Sequence, residues 1–217
     1  MNEQANKGRM VLLLIAGIPV TMLLAATWLW YYVVHGDFDL VGVLGTANSG
    51  QLIQPPRQIA EVELAGPQGA VFTYAEDEPR WTLVVPTGGA DCDVVCENAL
   101  YTTRQIHMAT GKYFNRIRRL YVSEVPAAET QLAFSELSDG RPAPADFRRF
   151  LAAEHEGLQA VQLAPGGLDE LFAEYDADTT TWFLVDPAGW VMMAYNGEND
   201  YKDIISDLKF LLKNSGG

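Results

Sequence analysis

Cys92 and Cys96 are the only two cysteines in a chain of 217 residues. They follow a short apolar run, Trp81 to Val85, rich in β-branched residues, which predicts a buried central strand. Pro86 and the Gly88-Gly89 pair end that strand in a loop. A long helical pattern starts directly at the cysteines. Two thiols are thus placed where a strand passes into a helix. Free N–H groups and the helix dipole favour a thiolate there. Residues four apart on a helix share a face, with Cα atoms roughly 6 Å apart, within the span a disulfide tolerates. The same two sulfurs could also grip one soft ion such as Cu(I). Asp91 and Asp93 flank the pair and oppose thiolate formation. A plain structural disulfide is the alternative use of these cysteines.

The elements around this pair follow from periodicity and breakers. Ile59–Leu64 and Val71–Tyr74 alternate apolar and polar around Gly66-Pro67-Gln68-Gly69, which predicts a hairpin. Beyond the cysteines, Val95, Ala99, Ile106 and Ala109 recur at helical spacing, and Ile117–Val122 reads as the next strand. Pro126–Pro144 is a polar, proline-bearing excursion. A helix over Ala145–His155, a strand over Leu158–Leu163 and a short helix over Leu168–Tyr175 follow. Thr180–Val185 and Trp190–Tyr195 read as strands joined by a type I turn, Asp186-Pro187-Ala188-Gly189. A closing helix spans Asp200–Leu212, with Ile204, Leu208, Leu211 and Leu212 as its apolar stripe. Strand, cysteines, helix, strand, helix, hairpin, helix is the order of an α/β, thioredoxin-like domain with an N-terminal β-hairpin. The chain has no internal repeat, no glycine-rich phosphate loop and no Ser/His/Asp arrangement.

The N-terminal stretch has a different character. Met10–Val34 is 25 residues without one charged side chain, long enough for a bilayer and too long for a signal-peptide core. Trp28, Trp30, Tyr31 and Tyr32 suit the membrane–water interface. Lys7 and Arg9 precede the stretch, and Asp37 and Asp39 follow it. The positive-inside rule therefore places residues 1–9 in the cytoplasm and the rest outside. The expected organisation is a tail (1–9), a transmembrane anchor (10–34), a linker (35–58) and a thioredoxin-like domain (59–217). In a bacterium this is a single-pass inner-membrane protein with a periplasmic domain. The chain carries −13 overall; residues 1–36 contribute +1, which leaves −14 on the other 181. That charge argues against nucleic-acid partners. Cysteines facing an oxidising compartment become oxidised unless reduced or held by a metal.

The chain resembles the Sco family, membrane-anchored thioredoxin-like proteins of cytochrome c oxidase assembly. The resemblance rests on Trp81-Thr-Leu-Val-Val leading to Cys92-x-x-x-Cys96, on the Arg118-Arg119-Leu120-Tyr121-Val122-Ser123 strand, and on Phe183-Leu184-Val185-Asp186-Pro187-Ala188-Gly189. It implies copper delivery or thiol chemistry through Cys92 and Cys96, with an oxidase subunit or another assembly factor as partner. In the family a histidine about nine residues before the turn proline completes the copper site. Here that position is Asp178, a hard ligand poorly matched to Cu(I). The thioredoxin-type proline before that strand is also absent, and Asp93 replaces the proline that follows the family's first cysteine. His107 lies on the stripe of Cys96, but ~16 Å along the helix, and is expected on the helix surface or as a satisfied core residue. His155, in Ala-Glu-His-Glu-Gly, is expected in solvent. One of Met192 and Met193 must face the core. These departures shift weight from copper to thiol–disulfide exchange, in which Cys92, at the exposed loop end, attacks and Cys96 resolves. A general thiol–disulfide oxidoreductase and a docking scaffold stapled by a structural disulfide are the alternatives.

Overall fold

The computed structural model describes residues 2–34, 48–66, 70–74 and 78–215. It divides into two units, 1–47 and 48–217. The described part of the first is one helix, α1 (Asn2–Val34), with Pro19 inside it. Its Thr21 and Thr27 hydroxyls donate back to the carbonyls of Ile18 and Leu23, so they need no outside partner. Among the described residues no helix is long and apolar enough to cross a membrane. Part of the Met10–Val34 stretch lies outside the described side chains, as do His35, Asp37, Asp39 and hairpin residues 67–69.

The second unit is an eight-stranded sheet with helices on both faces. In chain order its strands are β1 (Gln51–Gln58), β2 (Leu64–Ala65), β3 (Val71–Phe72) and β4 (Trp81–Thr87). A two-residue strand, β5 (Asp91–Cys92), precedes α2 (Val94–Ala109) and a 3-10 turn, Gly111–Arg116. Then come β6 (Ile117–Ser123), β7 (Gln131–Leu132), α3 (Phe147–Glu154) and β8 (Leu158–Gln162). The chain ends with α4 (Gly167–Phe172), α5 (Glu174–Ala177), β9 (Trp182–Val185), β10 (Trp190–Tyr195) and α6 (Tyr201–Asn214). The spatial order is β1-β10-β9-β4-β6-β8-β2-β3, and β5 and β7 form a separate parallel pair.

β4 and β6 run parallel at the centre and are buried throughout, which is why both read as unbroken apolar runs. Their residues alternate between two cores. Leu83, Val85 and Tyr121 face α2, α3 and α6, while Val84, Leu120 and Val122 face α4. The predicted hairpin exists as the short β2–β3 pair. At the other hairpin, between β9 and β10, Gly189 adopts φ +89, and a Cβ there would stand 2.7 Å from that of Ala60. Asp186 closes this turn by accepting from the backbone N–H groups of Ala188 and Trp190.

One segment departs from expectation. Residues 51–58, expected as linker, form edge strand β1, paired antiparallel with β10. Ser49 donates its N–H and hydroxyl to the Asp207 carboxylate at 2.8 and 2.7 Å. The folded unit therefore begins before Ile59.

Candidate redox site

Cys92 and Cys96 are joined as a disulfide, with Cα atoms 5.2 Å apart. β4 delivers the chain to the edge of the sheet, the glycine loop turns it, and Asp93 starts α2. The Asp93 carboxylate caps the helix, accepting from the backbone N–H groups of Val95 and Cys96 at 3.0 Å each. It thus occupies the N–H groups that would otherwise face a thiolate. This role, beyond the opposing charge read from sequence, makes Asp93 part of the site's frame.

The two sulfurs are not equally placed. Cys96 is 7 % exposed, and the Thr87 hydroxyl, at the end of β4, donates to its sulfur at 3.8 Å. Cys92 is 0 % exposed, contrary to the expectation of an open loop end. The excursion covers it. β7 pairs Leu132 with Cys92, and the Ala133 N–H donates to the Cys92 carbonyl at 2.8 Å. A second tie lies past Cys96. Glu97 is buried, and its carboxylate accepts the Ser138 N–H at 3.0 Å and the Ser138 hydroxyl. Nothing in the spacing of the excursion announces either tie. Along the first turns of α2 runs a largely apolar groove of about 280 Å³, lined in part by Val94, Val95, Ala99, Thr180, Trp182 and Asn196 and by neither cysteine.

Asp178 belongs to the loop entering β9. One carboxylate oxygen accepts the N–H and hydroxyl of Thr180 at 2.9 and 2.7 Å; the other accepts from the Asn196 amide at 3.0 Å. The Thr180 hydroxyl, more than any other group, holds this carboxyl below its usual range. Among the described residues no three His, Cys, Asp or Glu side chains gather where they could hold a metal. A disulfide offers no thiolate, and Asp178 is engaged elsewhere. The donor set therefore does not fit a three-ligand copper centre.

His107 is a satisfied core residue: its Nε2 lies 2.9 Å from the Phe114 carbonyl and its ring stacks on Phe114. His155 is not in solvent. It is 2 % exposed, with Nδ1 3.3 Å from Arg119 Nη1 and its ring edge-on to Phe150. Burial, then the nearby charges of Arg119 and Arg104, push its pKa down to about 3. Met193 faces the core, as one of the methionine pair must.

A disulfide at the N-terminus of a helix that leaves a central parallel strand, with an antiparallel hairpin alongside, defines a thioredoxin-like domain. The chain belongs to the family described as transmembrane-like, thioredoxin-like, C-terminal domain, whose model matches residues 81–139 and 135–215. No curated protein matches it. Among solved structures it is similar to apo Sco1 from Thermus thermophilus, at 17% identity over 76% of this chain and 96% of that one, TM-score 0.52. Yeast Sco1 with copper bound gives 16%, 79% and 96%, TM-score 0.50. A Bacillus protein, BsSco, described as having a disulfide switch, gives 14%, 74% and 96%, TM-score 0.50. At these identities the likeness is one of fold, and at that level it agrees with the Sco resemblance.

Proposed function

We propose that this protein is a membrane-anchored thiol–disulfide protein of Sco type. Its thioredoxin-like domain stands outside the cytoplasm and serves cytochrome c oxidase assembly. The observation that carries the reading is the Cys92–Cys96 disulfide at the start of α2, with an apolar groove along the same helix for a partner segment. Exchange begins when the excursion that covers Cys92 opens and a partner thiolate attacks its sulfur. The S–S bond breaks, its electron pair goes to Cys96, and a second partner thiol then releases reduced Cys92 while the partner becomes the disulfide. The anchor reading rests on 25 uncharged residues and on exposed apolar side chains around α1, among them Leu13, Ile15, Met22 and Leu24. The assembly role rests on the Sco resemblance, since BsSco is described as a member of a family of cytochrome c oxidase assembly proteins. Copper is the second reading. Yeast Sco1 carries it, and two reduced cysteines can hold Cu(I) between them.

One experiment addresses fold, redox state and side of the membrane. Intact cells expressing the full chain are treated with a membrane-impermeant maleimide, with and without a phosphine reductant, and the protein is weighed. Labelling of intact cells only after reduction is expected. Labelling without reductant rejects the disulfide, and labelling confined to lysed cells rejects the topology.

A further inference from the structure

The hydroxyl of Tyr121 is buried without a hydrogen-bond partner, and its ring belongs to the same core cluster as both cysteines. Tyr121 is 1 % exposed, and its oxygen makes no hydrogen bond. A buried, unpartnered hydroxyl is costly, and a phenylalanine of the same shape would avoid the cost. Its neighbourhood suggests what the group is kept for. In the β4–β6 register Tyr121 is paired with Val85 and Ser123 with Thr87, so the ring lies one pleat below Thr87 on the α2 face. Phe147 packs against the ring with centroids 5.0 Å apart. Three hydroxyls, those of Thr87, Thr130 and Ser123, stand close enough to act on the phenol, yet none is in bonding geometry. Thr130 donates to the Pro126 carbonyl at 3.3 Å and the Ser123 oxygen accepts the Val125 N–H at 3.0 Å, so their bonds lead into the backbone and away from the cysteines. Thr87 donates to the Cys96 sulfur, which leaves its own oxygen as an acceptor.

We propose that Tyr121 is a positioning residue for the redox couple: in the dithiol state its hydroxyl donates to Thr87, which in turn donates to the Cys96 sulfur. The proposal rests on the thiol–disulfide reading above. When a dithiol reductant breaks the S–S bond, an electron pair passes to Cys96 and two protons and two electrons enter overall. The sulfur then draws the Thr87 hydroxyl more strongly. A hydroxyl polarised as donor is a better acceptor, so a bond from the Tyr121 hydroxyl to Thr87, absent in the disulfide state, becomes favourable to form in the reduced protein. The orphan of the oxidised state becomes a partner in the reduced one. Both halves of that change favour the dithiol, so Tyr121 makes the disulfide easier to reduce.

The test is the reduction potential of the full chain, equilibrated in mixtures of reduced and oxidised dithiothreitol and quenched by alkylation. Tyr121→Phe is expected to shift the equilibrium about tenfold toward the disulfide, which is about 30 mV more negative. Thr87→Val should shift it at least as far, and Thr87→Ser should stay near the parent. Adding Tyr121→Phe to Thr87→Val should change nothing further, because the phenol acts through Thr87. A Tyr121→Phe potential within twofold of the parent, or a full additional shift in the double variant, overturns the proposal. If the parent itself shows no reversible couple, it is the underlying thiol–disulfide reading that fails.

Discussion

Cys92 and Asp178 approach the same edge of the sheet from opposite sides. β4 ends there before the cysteine loop, and β9, antiparallel to β4, begins there after the Asp178 loop. The two loops are built differently. The cysteine loop is tied into the fold by three elements: Asp93 caps α2, β7 pairs with β5, and Glu97 holds Ser138. Asp178 serves its own loop, accepting from Thr180 and Asn196 while staying half-buried. In the family resemblance these two places form one copper site. In this chain one is equipped for sulfur chemistry and the other stabilises a loop. The difference lies in what each loop's polar groups hold: those of the cysteine loop fix the helix start and its cover, and those of the Asp178 loop fix only that loop. Asn196, just past the hairpin, donates to the carboxylate at the position where the family has its histidine.

Loosening the cover over Cys92 should give the largest effect. Glu97→Ala removes the acceptor for two Ser138 donors in a buried setting, a loss of about 1–3 kcal/mol. If attack on Cys92 needs local opening of the excursion, its opening equilibrium rises by roughly tenfold per 1.4 kcal/mol. Reduction by a small thiol should therefore accelerate by roughly 5- to 150-fold, measured by stopped alkylation. An unchanged rate would mean that the cover does not limit attack.

The contrast between the loops also bears on what could be read in advance. β4, α2, β6 and β10 were legible because each is long and either buried on both faces or strongly periodic. β1 was not, since Gln51-Leu-Ile-Gln-Pro-Pro-Arg-Gln carries two prolines and takes its place only by pairing with β10. β5 and β7 are two residues each, too short for any period, yet they decide the burial of Cys92. His155 was misread for a related reason. Its neighbours Glu154 and Glu156 suggest solvent, but Phe150 and the distant Arg119 enclose it. The cysteine pair was visible as a type and a spacing. Its asymmetry, and the idle hydroxyl of Tyr121, come from strands that meet only in the folded chain.

Acid should separate the two regions. His155 closes α3, whose Phe150 supports Phe134 of the excursion at 5.3 Å between centroids. Its folded pKa of about 3 lies below the unfolded value of 6.5, so between these pH values the unfolded chain holds the proton and the folded one does not. Stability should fall as pH drops through that window, by up to about 1.4 kcal/mol per pH unit. Asp178 works lower down: its folded pKa lies below 3.8, so its contribution holds above that pH and is lost beneath it. Urea midpoints from pH 7 to pH 4 should therefore decline in the parent and flatten in His155→Gln. Equal slopes would remove His155 as the cause.

Asp178→Ala should have the smallest effect, and it is the sharpest test of the separation. The variant leaves the Thr180 and Asn196 donors at a half-exposed site where water can replace the carboxylate. Such bonds contribute about 0.5–1.5 kcal/mol net, so a fall in stability of about 1 kcal/mol or less is expected from urea unfolding. Nothing links the carboxylate to the Thr87–Cys96 contact, so the reduction potential should stay within about 10 mV of the parent, a twofold change in equilibrium at most. Cu(I) held between two thiolates should be equally indifferent, since a carboxylate is a hard donor that adds little to a soft ion. Titration of the reduced parent and Asp178→Ala with Cu(I), against a chromogenic competitor, should give matching curves that vanish in Cys92→Ala/Cys96→Ala. If instead copper affinity falls tenfold or more on losing Asp178, the loop swings onto the sulfurs after reduction. The two regions would then be one site in the dithiol state and two in the disulfide.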